Sequence, residues 1–361
     1  GTGGGGNAVA GADNYGVYIA DSTIEGTGSG AVTITGTGGL PSTGTNNDGV
    51  RLQTSAAGNS VVVRSASGSL TINGDQGTNA ATEGMSIDSS AGGTITIGSG
   101  TQTGSVTLGL TGIYTDGTGN SIQTSGVVEV LPVVNDFNRL ELSALAIGTS
   151  NAPSSVTIGD STSSADGTAD VESSIGAITS AGAVSIYGGD IILNQSLDTT
   201  AGSASGDILL KASGDITFSA STTISSDGGD MIFWSDANAS SAGDIFFSVT
   251  SETQFTDPVT VSTNGGHLWM GGGSGTTTWN GLTVGDGYAV GSTARSVNAG
   301  TQYNGITFNA TDISTAGGDI LLKGKSTAAA ITTNSAKYGG GIWMGGKSTS
   351  VGGIDSGGGS I

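Results

Sequence analysis

Six aspartates, Asp190, Asp207, Asp215, Asp230, Asp244 and Asp319, each follow a glycine and open an apolar run. Carboxylates repeated at one structural position can stack and hold Ca²⁺ through hard oxygen ligands. The simpler reading is turn chemistry, in which an Asp after Gly satisfies backbone groups. The Gly-Gly-x-Gly-x-Asp calcium nonapeptide does not recur, which weakens the metal reading. His267, the single histidine, stands where Asp stands in sibling repeats and reads as a substituted turn residue rather than a catalytic base.

Polysaccharide lyases and hydrolases need paired acids, or acids with a cationic base, gathered in a groove. The basic residues here are scattered: Arg51, Arg64, Arg139, Lys211, Arg295, Lys323, Lys325, Lys337 and Lys347. No catalytic residues and no cofactor are therefore expected. Asn194, Asn238 and Asn309 begin Asn-x-Ser/Thr triplets, which are common by chance in a chain so rich in Ser and Thr.

Composition narrows the class. The 361 residues include 68 glycines, and 29 acidic side chains face 9 basic ones, giving a formal net charge of −20. Phosphate binding needs clustered Lys and Arg, so a nucleic-acid partner is not expected. Recurrent Val, Ile and Thr argue for strands over disorder. Cysteine is absent, so burial and backbone hydrogen bonding must hold the fold. No run approaches the ~18 to 20 apolar residues of a membrane-spanning helix. The chain opens on Gly1 with no signal-peptide pattern, and is expected to be a mature or excised segment of something longer.

The elements that must position the acids show up as repeats. "GVYI" at Gly16, "GVRL" at Gly49, "GMSI" at Gly84 and "GIYT" at Gly112 lie 33, 35 and 28 residues apart. Two further short strands follow in each unit, such as Ile24 and Val32 to Ile34 in the first, joined by Gly-, Ser- and Asn-rich turns. Alternation puts Val17 and Ile19 on a core face and Tyr18 on a wet one. A three-strand unit cannot bury its apolar face alone, whereas stacked units can. The expected fold is all-β: a right-handed parallel β-helix, or β-solenoid, with three strands per coil.

Residues 1–130 form the coils with a repeat of about 33 residues, 131–153 an irregular transition within the same rod, and 154–361 coils with Gly-Gly-Asp strand starts. There "ISSDGGDMIF" from Ile224, "VSTNGGHLWM" from Val261, "ISTAGGDILL" from Ile313 and "IDSGGGSI" from Ile354 recur at 37, 52 and 41 residues. The 52-residue interval is long enough for an extra hairpin or loop projecting from the rod. Aligning the glycine-led strands places Ile192, Leu209, Ile232, Phe246, Trp269, Leu321 and Trp343 on one outer face. An apolar outer stripe needs a cover. Two are open: a neighbouring rod or partner, and the chain's own segment between Gly281 and Gly305.

The "GVYI…STIEGTGSGAVTITGTGG…NNDGVRL" unit, with "AGAVSIYGGDIILN" from Ala181 and "GDILLKASGDI" from Gly206, resembles the repeat region of filamentous-haemagglutinin-like large bacterial exoproteins. That resemblance implies a secreted β-helical fibre at the surface of a Gram-negative bacterium, exported by two-partner secretion or as an autotransporter. Its implied role is adhesion to cells or surfaces, with a cell-surface or carbohydrate receptor, or homotypic packing with identical rods. The alternatives are a self-assembling extracellular filament or sheath and, more weakly, a carbohydrate-active β-helix enzyme.

Overall fold

The computed structural model describes residues 14–39, 47–77, 83–133, 137–161, 173–202, 206–249, 257–292, 294–297, 300–327, 337–345 and 353–361. Two compact units divide the chain: residues 1–163 with 171–181, and residues 164–170 with 182–361. The described residues form strands joined by turns and irregular segments, and among them no helix is long and apolar enough to cross a membrane.

In the first unit, strands are laid into three parallel sheets in rotation. One sheet runs Val17–Ala20, Val50–Gln53, Met85–Ser89, Ile113–Gly117, Leu140–Leu142 and Ser173–Ile175. The strand after each of these joins a second sheet, and the next a third, before the chain returns to pair beside its starting point. Register is kept residue for residue: Val17 pairs with Val50, Val50 with Met85, Met85 with Ile113 and Ile113 with Leu140.

The alternation expected of half-buried strands is present. Leu70–Asp75 reads buried and half-buried by turns, with Leu70, Ile72 and Gly74 inward and Thr71 and Asn73 outward. Gly36 and Gly74 are register partners where strands crowd: a Cβ on Gly36 would lie 2.0 Å from the Gly49 carbonyl oxygen, and one on Gly74 2.1 Å from that of Gly84. Only glycine admits so close an approach.

The expected irregular stretch from residue 131 keeps this rotation. Val127–Pro132, Leu140–Leu142, Leu145–Ile147 and Ser155–Ile158 all take their places in the sheets, with Leu140, Leu142, Leu145 and Ile147 buried. Two apolar positions per short strand are enough to fill a core that its neighbours define.

The second unit is built the same way. One sheet holds Ile191–Leu193, Ile216–Phe218, Ile245–Phe247, Ile306–Asn309 and Ile342–Gly345; another holds Val184–Gly188, Ile208–Ala212, Met231–Trp234 and Leu268–Trp279. Stacked coils put like side chains over one another. Phe218 and Phe247 lie face to face at 4.4 Å between ring centroids, Phe308 continues the column at 5.0 Å, and Phe233 meets Phe218 at 5.0 Å. All four rings are buried.

The hairpin expected in the long interval is present, formed by Leu268–Trp279 and the antiparallel Leu282–Gly287. It begins earlier than expected and lies back on its own sheet instead of projecting, because Val284 is fully buried against Trp234 and Trp269. Truncating the centre of the aromatic column, Phe247→Ala, should lower stability by about 3–5 kcal/mol. The outward-facing neighbour Thr217→Ala should stay within about 0.5 kcal/mol of wild type. Equal urea midpoints for the two variants would contradict the placement of the core.

Candidate functional site

The six aspartates form two ladders running from strand to strand within the second unit. In one, the Asp215 backbone N–H donates to Asp190 Oδ1 at 2.6 Å, and the Asp244 N–H to Asp215 Oδ1 at 2.8 Å. In the other, the N–H of Asp230 donates to Asp207 Oδ1 at 2.9 Å and that of His267 to Asp230 Oδ1 at 2.6 Å. The Asp319 N–H then donates to His267 Nδ1 at 2.9 Å, and the Ser360 N–H to Asp319 Oδ1 at 2.7 Å. The turn reading of these residues is thus refined: five of the six acids serve the equivalent residue one coil further on, not their own turn, and Asp244 instead accepts from Arg295.

His267 fits the ladder because a neutral imidazole offers one acceptor nitrogen. Its Nδ1 accepts, which leaves the ring proton on Nε2. Its ring also meets Trp279 edge-on at 5.6 Å.

A column of hydroxyls runs beside the second ladder. Ser226 donates to the Gly229 carbonyl at 2.7 Å, Thr315 to that of Gly318 at 2.5 Å and Ser356 to that of Gly359 at 2.6 Å, while Thr263 donates to the Gly266 carbonyl. Each hydroxyl closes its turn from three residues upstream. Its signal is plain in the sequence once known: Ser or Thr four positions before the strand-opening Asp, His or Ser.

Arg295 gathers the first ladder. Its Nε donates to Asp244 Oδ2 at 2.9 Å, and its Nη2 to Asp244 Oδ1 at 2.7 Å and Asp215 Oδ2 at 2.8 Å. The guanidinium also lies over the Phe246 ring, 4.9 Å from its centroid. This arginine stands 51 residues from Asp244 and 80 from Asp215, so no local pattern in the sequence links them. One guanidinium faces Asp215, Asp244 and Asp190, and cannot neutralise all three. Burial pushes the Asp244 carboxyl up to about 7, with Arg295 opposing the shift and the neighbouring carboxylates adding to it.

The six carboxylates do not gather as a calcium site would. Asp190, Asp207, Asp215, Asp230 and Asp319 each accept a backbone N–H, and Asp215 and Asp244 carry the Arg295 guanidinium. Among the described residues no group of three or more His, Asp or Glu side chains is placed to hold a metal ion.

The seven residues expected on one outer stripe fall on two sheets. Leu209, Ile232, Trp269 and Leu321 are consecutive register partners in one. Ile192, Phe246 and Trp343 belong to the other, where Thr217 and Thr307 alternate with them. Their merger in the sequence has a simple cause: the same Gly-Asp opening starts strands of both sheets, Asp190, Asp215 and Asp244 in one and Asp207, Asp230 and Asp319 in the other.

Trp269 is 0% exposed beneath the hairpin, and Phe246 is 9% exposed under Arg295. Trp343 packs against Val249 and Ala310. At Trp269 the cover is the chain's own, supplied by Leu282 and Val284 from the segment after Gly281. Of the three Asn-x-Ser/Thr triplets, that of Asn309 begins at a fully buried side chain.

No protein-family model, no curated protein and no solved structure matches this chain.

Two outcomes follow from the ladders. Asp230→Ala leaves the His267 N–H without its acceptor and should cost about 1–3 kcal/mol, while Asp230→Asn keeps an acceptor oxygen and should recover most of it; equal losses in denaturant titrations would contradict the ladder. Asp244 binds its proton more tightly folded than unfolded, so its contribution is fully present below about pH 4 and is lost as pH rises through about 7. Thermal melts from pH 4 to 8 should therefore fall more steeply for wild type than for Asp244→Asn.

Proposed function

We propose that the chain is a segment of a secreted bacterial surface fibre: a right-handed parallel β-helix with three strands per coil, without enzymatic activity, working in adhesion to cells or surfaces. One observation carries the reading. The side chains with the most chemical capacity are used within the stack: Asp190, Asp207, Asp215, Asp230, Asp319 and His267 accept backbone N–H groups from the next coil, and Asp244 is held by Arg295. Groups so used add to the stiffness of a stack, and stiffness is what a projecting fibre requires. The quoted repeats and their likeness to filamentous-haemagglutinin-like exoproteins support an extracellular setting.

A self-assembling filament is the second reading. Ile342 and Met344 hold the register of the buried Ile306 and Phe308, yet are 40% and 53% exposed. Apolar side chains at core positions on an open strand favour an added layer.

Beads coated with the purified chain should be retained on cells or abiotic surfaces saturably, with competition by soluble chain. Retention no better than that of albumin-coated beads on every surface tried would end the adhesion reading. Regular filaments of the same preparation in electron micrographs would favour the second.

A further inference from the structure

The hairpin over Trp269 is an insertion. In a sibling coil, Ala212 reaches Ile216 through Ser213, Gly214 and Asp215 alone. Only Leu268 to Gly271 of its first strand pair with Met231–Trp234, and only Leu268 to Met270 with Ile320–Leu322. Beyond that point both legs run through glycine: Gly271, Gly272 and Gly273 going out, Gly285 and Gly287 coming back. Gly273 is in the left-handed region at φ 99°, and the pairing register shifts between Gly272 and Thr276. The stacking of the sheet thus depends little on where the rest of the hairpin goes.

What seats the hairpin is one apolar surface together with bonds at its base, where Trp234 Nε1 donates to the Gly273 carbonyl at 2.7 Å, the Gly273 N–H to that of Asp236 at 3.2 Å and Lys323 Nζ to that of Asp286 at 2.8 Å. Trp279, Leu282 and Val284 pack on Ile232, Trp234, Trp269 and Leu321. At the tip, Asn280 Nδ2 donates to Asp319 Oδ2 at 2.7 Å. The seated hairpin also buries the Trp269 indole N–H with no acceptor, a cost that the closed arrangement carries.

We propose that this hairpin is exchangeable between copies: the hairpin of one chain seats on the Ile232–Trp269–Leu321 stripe of a second, which returns its own. The occupant is fixed by chemistry, since identical segments remake identical contacts. The balance between closed monomer and exchanged pair then reduces to hinge strain and concentration. Straightening the legs releases the left-handed turn at Gly273, and the reciprocal pairing links two fibres side by side. This goes beyond the adhesion reading and does not rest on it.

The chain has no cysteine, which gives a clean test. Asn280→Cys and Asp319→Cys chains, prepared separately, mixed at high concentration and then oxidised, should yield a disulfide joining position 280 of one copy to 319 of the other, in a yield that rises with concentration before oxidation. The double variant on one chain, diluted, should close within itself. Independently, a Cβ on Gly273 would lie 2.5 Å from the Gly287 nitrogen, so Gly273→Ala should raise the dimer fraction in sedimentation above that of wild type. Closure of the double variant without any 280 to 319 link between mixed chains overturns the proposal. So does a strictly monomeric wild type and Gly273→Ala at every concentration, whatever the cysteine pair does.

Discussion

The backbone N–H at the entry to a strand is the group on which the second unit turns. A parallel ladder satisfies the interior of each strand, but the strand-opening residue needs an acceptor beyond it, and a buried N–H left unmet costs about as much as a hydrogen bond. Asp supplies that acceptor from the strand below, and its own N–H is served in turn from the strand below that. A chain of charge-assisted bonds results, in which Asp190, Asp215, Asp207 and Asp230 each hold the opening residue of the next strand in register.

Concentrating carboxylates in columns creates repulsion, and the structure answers it locally. Arg295 is delivered by the long insertion to the point where Asp215 and Asp244 are stacked, and burial raises the proton affinity of Asp244 where the guanidinium is insufficient. In the other ladder a neutral His267 interrupts the run of acids while keeping the acceptor. Both are ways to keep the hydrogen-bond pattern while lowering the charge. In the first unit, Arg51 does comparable work between Asp48 and Asp88, and Arg139 beside Glu83.

The insertion shows how one repeat acquires a different surface without disturbing the stack. Its first residues stay in the parallel sheet, its glycines turn the chain back, and Leu282 and Val284 then cover an apolar stripe that the preceding coils leave half-exposed at Leu209. Trp234 secures the arrangement through its indole N–H, which donates to the Gly273 carbonyl at 2.7 Å. Trp269, packed beside it beneath that cover, keeps its own indole N–H without an acceptor.

Strand positions, their inward residues and the pairing of successive repeats were legible in the sequence, because alternation with a period of two and small-residue turns are local properties. Val17, Val50, Met85 and Ile113 are register partners as their glycine-led motifs imply. Which sheet a glycine-aspartate opening belongs to was not legible, since the local demand for an acceptor is the same at both corners. Hence Ile192, Phe246 and Trp343 were merged with Leu209, Ile232, Trp269 and Leu321. Nor could the sequence tell that the aspartates bond across coils, or that Arg295 finds them from 51 and 80 residues away. Those partners come together only through stacking, so tertiary structure alone decided them, while the strands themselves follow from local chemistry.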